Sequence, residues 1–170
     1  MLEMNRTFTL LKNEYQTMFP MNTLPQCATR EDLRRELPDA HGVYIISRRI
    51  QPNRPIYIGS TGKWKQTRNV TRQKFVGRMI DYSCTPYNIH TDGRFYYDAK
   101  PKPKKERHNG KKPATFADYK YKDSIPLNDI EVVCFNVDPN RYSPSVLEHL
   151  FLQGYRKEFN GDLPLVNRAL

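Results

Sequence analysis

Cysteine is scarce in this chain. Cys27, Cys84 and Cys134 are the three in 170 residues, and their wide spacing excludes both a disulfide framework and a C-x-x-C metal knuckle. A reducing, cytoplasmic setting is the expectation. Long apolar runs are missing too: none approaches the ~18 residues of a membrane span. The start, MLEMNRTFTLLKNEY, lacks the basic opening and apolar stretch of a secretory leader. Acidic residues are outnumbered, with 18 Asp and Glu against 28 Lys and Arg, giving +10 and a pI near 9.6. The balance points to a polyanionic partner. No long basic amphipathic helix is visible, so nucleic acid is expected rather than a membrane surface. The bland alternative is a basic, merely solvated exterior.

What is present fits one α+β domain. Residues 1–40 read as an irregular arm with one helix, opened by Thr29 three positions before Asp32 and closed at Pro38. Two strands follow at about 42–47 and 55–59, antiparallel because a parallel crossover needs a dozen residues or more. The Arg-, Pro- and Asn-rich link between them reads as loop. A helix is expected over 64–82, with Phe75, Val76, Met79 and Ile80 as its apolar stripe. Ile130–Val137 is nearly all apolar, a strand buried between neighbours. Ser143-Pro144 opens a last helix, Ser as cap and Pro in the first turn, burying Val146, Leu147, Leu150, Phe151 and Tyr155. The terminal LPLVNRAL should dock on the core. The expected architecture is a small, mainly antiparallel three-stranded sheet flanked by helices, with 41–82 and 128–170 as its core and 83–127 as an insertion.

The insertion differs in composition. Between Arg94 and Lys122, ten Lys or Arg face three acids, a net +7 within 29 residues. Phe95, Tyr96, Tyr97, Phe116 and Tyr119 interleave with the cations. Charges that neutralise phosphates beside aromatics that stack or wedge are what a nucleic-acid surface uses. Arg94, Lys100, Lys102, Lys104, Lys105, Arg107, Lys111 and Lys112 are the candidate DNA contacts. The competing reading of KPKPKKERHNGKKP is a solvated linker.

Three motifs fail on inspection. GSTGK has Tyr57 where a phosphate-binding loop needs glycine, and Trp64 where Ser or Thr should follow the lysine. His41, His90, His108 and His149 lack ligand spacing, and Glu148-His149 lacks a second histidine, so no zinc site is expected. Pro38-Asp39 with Asp118-Tyr119-Lys120 spells a loose metal-nuclease signature, but Asp39 precedes the first strand and 79 residues separate the halves.

The two tyrosine-bearing strands remain. Alternation puts Val43 and Ile45 on one face and Tyr44 and Ile46 on the other; it likewise sets Ile56 and Ile58 against Tyr57. Pairing the strands buries the aliphatics together and turns both tyrosines to the opposite side. Pattern alone leaves them equally good as core residues.

Gly42-Val43-Tyr44, then Tyr57-Ile58-Gly59, then a helix bearing Arg78 and Tyr82 one turn apart, resembles the GIY-YIG nuclease family, most closely its type II restriction endonucleases. The resemblance spans about 42–82 and 129–168. It extends to Glu148 on the late helix and, as a supporting residue, to Asn167. It implies a sequence-specific double-stranded DNA endonuclease, working as a homodimer whose two sites address two antiparallel strands. It implies Tyr57 as general base or relay, and Arg78 forked onto a phosphate oxygen. Tyr44 and Tyr82 become hydrogen-bond donors to phosphate or water. Glu148 becomes the ligand of one Mg²⁺, for which Mn²⁺ is a plausible substitute, stabilising the leaving 3′ oxygen. A free tyrosine titrates near ~10, so nearby cations are expected to depress Tyr57. Arg78 and Lys63 are placed to do so, with Lys65 an equal rival for the lysine role. A structure-specific or repair nuclease, and a non-catalytic nucleic-acid-binding module, are the alternatives.

Overall fold

The structure, a computed structural model, describes residues 7–62, 73–81, 87–108, 113 and 115–167. Lys63, Lys65, Tyr82, Lys111, Lys112 and the first half of the expected 64–82 helix lie outside the described residues. The arm is more ordered than its sequence suggests. Thr7 caps α1 (Phe8–Met18), whose Phe8, Leu11 and Tyr15 fall at i, i+3 and i+7 and are buried. Polar residues dilute that stripe, and the helix draws its stability from tertiary packing rather than propensity. After β1 (Met21–Thr23) comes the anticipated α2 (Arg30–Glu36). Here Thr29 Oγ1 accepts from the Asp32 amide at 3.1 Å and Asp32 Oδ2 accepts from the Thr29 amide at 3.1 Å, a reciprocal cap.

Among the described residues the main sheet has four strands, not three. β2 (Gly42–Arg48), β3 (Gln51–Thr61) and β7 (Ile130–Asn136) are joined by β1, in the order β1-β7-β2-β3, every pair antiparallel. The link between β2 and β3 shrinks to Arg49-Ile50, because Gln51–Arg54 continue the strand despite Pro52 and Pro55. Proline is tolerated there because β3 has a neighbour on one side only. A bulge between the Ile46–Tyr57 and Ser47–Pro55 pairs shifts the register by one residue. Ile56 therefore packs on the tyrosine side, not with Ile58 as strict alternation predicts.

The two faces of this sheet bury different clusters. Val43, Ile45, Ile58, Val133 and Phe135 meet α1 and α3 (Pro144–Glu158), where Phe151 lies 4.8 Å from Tyr15 and 5.8 Å from Phe8 between ring centroids. Ser143 sits at the start of α3 but gives no capping bond, its hydroxyl meeting that of Ser145 instead. Val146 points outward, 56% exposed, because the buried stripe runs through Pro144, Phe151 and Tyr155. The opposite face carries Tyr44, Ile46, Tyr57, Val132 and Cys134 under Phe75, Met79 and Ile80.

The insertion is itself a sheet. β4 (Tyr87–Ile89), β5 (Arg94–Pro101) and β6 (Tyr119–Pro126) pair antiparallel in that order. Alternation sends Tyr87, Ile89, Phe95, Tyr97 and Ile125 inward, into the same cluster as Tyr44 and Tyr57. Tyr96, Phe116 and Tyr121 stay half-exposed on the outer face, where Phe116 stacks on Tyr121 at 4.9 Å.

Candidate active site

Strand register brings the tyrosines together. Tyr44 stands directly across from Gly59, and Ile46 across from Tyr57, so both phenols share a face with ring centroids 5.8 Å apart. Gly59 makes the approach possible: a Cβ there would lie 2.6 Å from Tyr57 Cε1 and 2.7 Å from the Tyr44 Cζ and hydroxyl. Gly42 serves the backbone, since a Cβ on it would sit 1.8 Å from the Phe135 carbonyl oxygen of the neighbouring strand. The glycines of both motifs are thus steric requirements of the pairing.

Two further groups close on the pair. Phe75 meets Tyr44 edge-on at 6.2 Å. Arg78 lies in a π-helical turn, Gly77–Asp81, a wide form that is rare and concentrated at functional sites. Its positive charge acts on both Tyr44 and Tyr57, favouring their ionised forms against the burial that opposes them. From the insertion, Tyr87 donates its hydroxyl to Tyr44 at 3.0 Å and sets its ring 5.0 Å from Tyr57. Nothing in the sequence pattern singled out Tyr87; the one signal is the apolar-polar-apolar alternation of Tyr87-Asn88-Ile89.

Burial dominates the electrostatics. Tyr44 and Tyr87 are 0% exposed and Tyr57 is 3% exposed. Loss of water pushes Tyr44 well above the ordinary phenol value and pushes Tyr87 up as well. Tyr57 is also raised, first by burial and then by the Glu148 carboxylate, and the opposing Arg78 charge does not offset the two. The expectation of a phenol depressed by its cations is therefore corrected. In this form Tyr57 keeps its proton at neutral pH.

Glu148 reaches β3 from α3 and accepts a very short hydrogen bond from Ser60 Oγ, one residue beyond Gly59. Asn167 has a different task. Its Oδ1 accepts from the Ile58 amide at 2.9 Å and its Nδ2 donates to the Ile58 carbonyl at 2.8 Å. Val166 adds an amide bond to the Ile56 carbonyl at 3.0 Å. The buried Asn167 side chain thereby pairs with the open edge of β3 as another strand would, fixing the backbone between Tyr57 and Gly59.

Among the described residues, no three His, Cys, Asp or Glu side chains assemble as a metal cage. Glu148 is a single carboxylate beside the cluster. That donor count suits a hydrated Mg²⁺, which keeps several waters and takes one or two carboxylates together with substrate phosphate. The loose acidic signature dissolves in the structure. Asp118 accepts from the amides of His108 and Thr115, at 2.9 and 3.0 Å, and so organises the insertion loop. Asp39 pairs with Lys74 at 2.9 Å.

The candidate DNA contacts divide into two groups. Arg94 is spent on Ser124, through Nε to its hydroxyl at 2.9 Å and a terminal nitrogen to its carbonyl at 3.2 Å. Arg107 donates to the Lys102 carbonyl at 2.6 Å, and Lys102 is half-buried. Lys100, Lys104 and Lys105 are exposed. No helix among the described residues is long and apolar enough to cross a membrane. The chain matches no family model, no curated protein and no solved structure in comparisons with each.

Proposed function

We propose that this chain is a metal-dependent endonuclease of GIY-YIG type that cuts double-stranded DNA at a short defined sequence, as restriction enzymes do, and acts as a homodimer. One observation carries the reading. Tyr44 and Tyr57 share one sheet face with rings 5.8 Å apart, and the charge of Arg78, from a third segment, acts on both while that of Glu148 acts on Tyr57. A purely structural core has no need of a half-buried guanidinium beside two buried phenols, since withdrawing a charge from water is costly.

In this reading Arg78 forks onto the scissile phosphate and neutralises charge as the phosphorane forms. Tyr44 holds the phosphate or the attacking water by its hydroxyl. Tyr57, protonated at rest, takes the water's proton as it gives its own to a non-bridging oxygen of the substrate phosphate, which makes it a relay rather than a free tyrosinate. Glu148 holds one hydrated Mg²⁺, or Mn²⁺ in its place, and the chemistry such an ion supplies is neutralisation of the leaving 3′ oxygen. Lys100, Lys104 and Lys105 grip the backbone. Asn167 keeps the Tyr57 strand in register.

The near-complete burial of Tyr44 and Tyr57 favours a second reading, a nucleic-acid-binding module in which both are core. Incubation with unmodified phage DNA in Mg²⁺ or EDTA separates the two. Discrete fragments only with Mg²⁺ are expected. A smear indicates a structure-guided nuclease, and retarded but uncut DNA in both lanes leaves the binding module.

A further inference from the structure

The insertion does more than supply cations: we propose that Tyr87, its first strand residue, is a positioning residue of the active site and acts through Tyr44. The inference rests on the endonuclease reading above. Tyr87 is fully buried, and a phenylalanine ring would fill the same volume. A buried hydroxyl is unfavourable unless it is hydrogen-bonded, and this one donates to the Tyr44 oxygen at 3.0 Å. A hydroxyl that accepts such a bond still has its own proton to give. The Tyr44 ring in turn stands 5.8 Å from that of Tyr57, on the same face of the sheet. Tyr87 thus fixes the rotor of Tyr44 and leaves its proton for the site that Tyr44 shares with Tyr57, where one hydrogen bond polarises the next.

The ring of Tyr87 ties the same residue to the DNA-gripping sheet. It stacks on Phe95 of β5 at 5.1 Å, and Phe95 stacks on Tyr97 at 5.8 Å. Tyr97 donates to Asp123 at 2.8 Å and accepts from Arg48 of the β2–β3 hairpin at 3.3 Å. β5 ends at Pro101 and carries Lys100 near that end. One strand therefore holds a candidate phosphate contact at one end and, at the other, the stack that seats Tyr87 against Tyr57. A substrate that seats the insertion sheet correctly seats the phenol pair with it.

The test is a double-mutant cycle on single-turnover cleavage, using Y87F, Y44F and the double variant in the full chain, each rate normalised to the folded fraction by circular dichroism. Y87F should lower the rate about 10- to 100-fold, the range seen when outer hydrogen-bond partners of functional groups are removed. DNA affinity in EDTA should be unchanged. The double variant should be no slower than Y44F alone, because Tyr87 acts through Tyr44. Y155F, which deletes a buried phenol hydroxyl on the opposite face of the sheet, should cleave normally. Wild-type cleavage with an unimpaired Y87F, or additive losses in the cycle, overturns the inference and leaves the endonuclease reading standing. A wild-type chain that never cleaves overturns both.

Discussion

The two faces of the main sheet are drawn from alternate residues of the same strands, yet they bury opposite chemistry. One takes Val43, Ile45, Ile58, Val133 and Phe135 against the aromatic faces of α1 and α3. The other takes Tyr44 and Tyr57 against Arg78 and a third phenol from the insertion. Apolar burial there is non-directional and stabilises in proportion to area, at about 25 cal/mol per Å². The tyrosine face gains in the same way through Ile46, Phe75, Met79, Ile80 and Val132, while its hydrogen bonds add less net because each replaces one to water. Both faces therefore stabilise the sheet, and the tyrosine side is also where the chain tolerates a costly polar arrangement. Such a difference is expected when both faces hold the fold together and one of them also holds a site.

The sharpest way to break that contrast is to truncate one residue on each face. Phe151→Ala on the apolar side should cost about 3–5 kcal/mol, the range for deleting a packed aromatic, as read by urea unfolding. The folded fraction that remains should cleave at the normal rate. Glu148→Gln should do the reverse: cleavage falls about 10²- to 10³-fold, the loss for one electrostatic stabiliser, with DNA binding kept and the melting temperature little changed. A Glu148→Gln variant cutting at the normal rate would remove the metal assignment. One that melts far lower would move the residue to the structural side.

Gly59→Ala probes the contact between the phenols. Its methyl must displace the Tyr57 ring or the Tyr44 hydroxyl, an overpacking expected to cost about 1–3 kcal/mol and to abolish cleavage even in the folded fraction. Retained cleavage would mean that the register of the two tyrosines is not what the chemistry needs. Asn167→Asp is subtler. It keeps the acceptor for the Ile58 amide but sets an oxygen against the Ile58 carbonyl where Nδ2 now donates. An unsatisfied buried group costs about 1–3 kcal/mol, so a lower melting temperature and a weaker cleavage rate should appear together.

Much of this division was readable in the residues and some was not. Thr29 with Asp32, the apolar Ile130–Val137 run and the GVY and YIG pair announce their elements, because caps and alternation are local physics. The bulge that carries Ile56 to the tyrosine side is not local: it arises from the pairing of Ser47 with Pro55 across the strands. The insertion's composition advertises charge but conceals its sheet. Lysines and prolines mask the alternation of Phe95, Tyr97 and Ile125, which becomes meaningful only once those side chains have a core to enter. Asn167 reads as a turn residue until the open edge of β3 gives its amide two partners.

The smallest expected effect is the difference between Y87F and the wild type in alkali, and it bears on the tyrosine face directly. Burial raises Tyr44, Tyr57 and Tyr87 above the ordinary phenol value, which holds in the unfolded chain at about 10. Below that pH both states keep their phenol protons and these groups add no pH dependence. Above it the unfolded chain releases protons that the folded chain retains, so the unfolded state binds fewer and stability falls as pH rises. Each such phenol contributes a slope of up to about 1.4 kcal/mol per pH unit. Unfolding measured between pH 8 and 11 should decline gently at first, because burial also raises the Cys134 and Cys27 thiols, and then more steeply, and Y87F, with one phenol fewer, should show less of the steep part than the wild type. Equal slopes would mean that Tyr87 is open to water in solution, and the two faces of the sheet would then differ less than their packing implies.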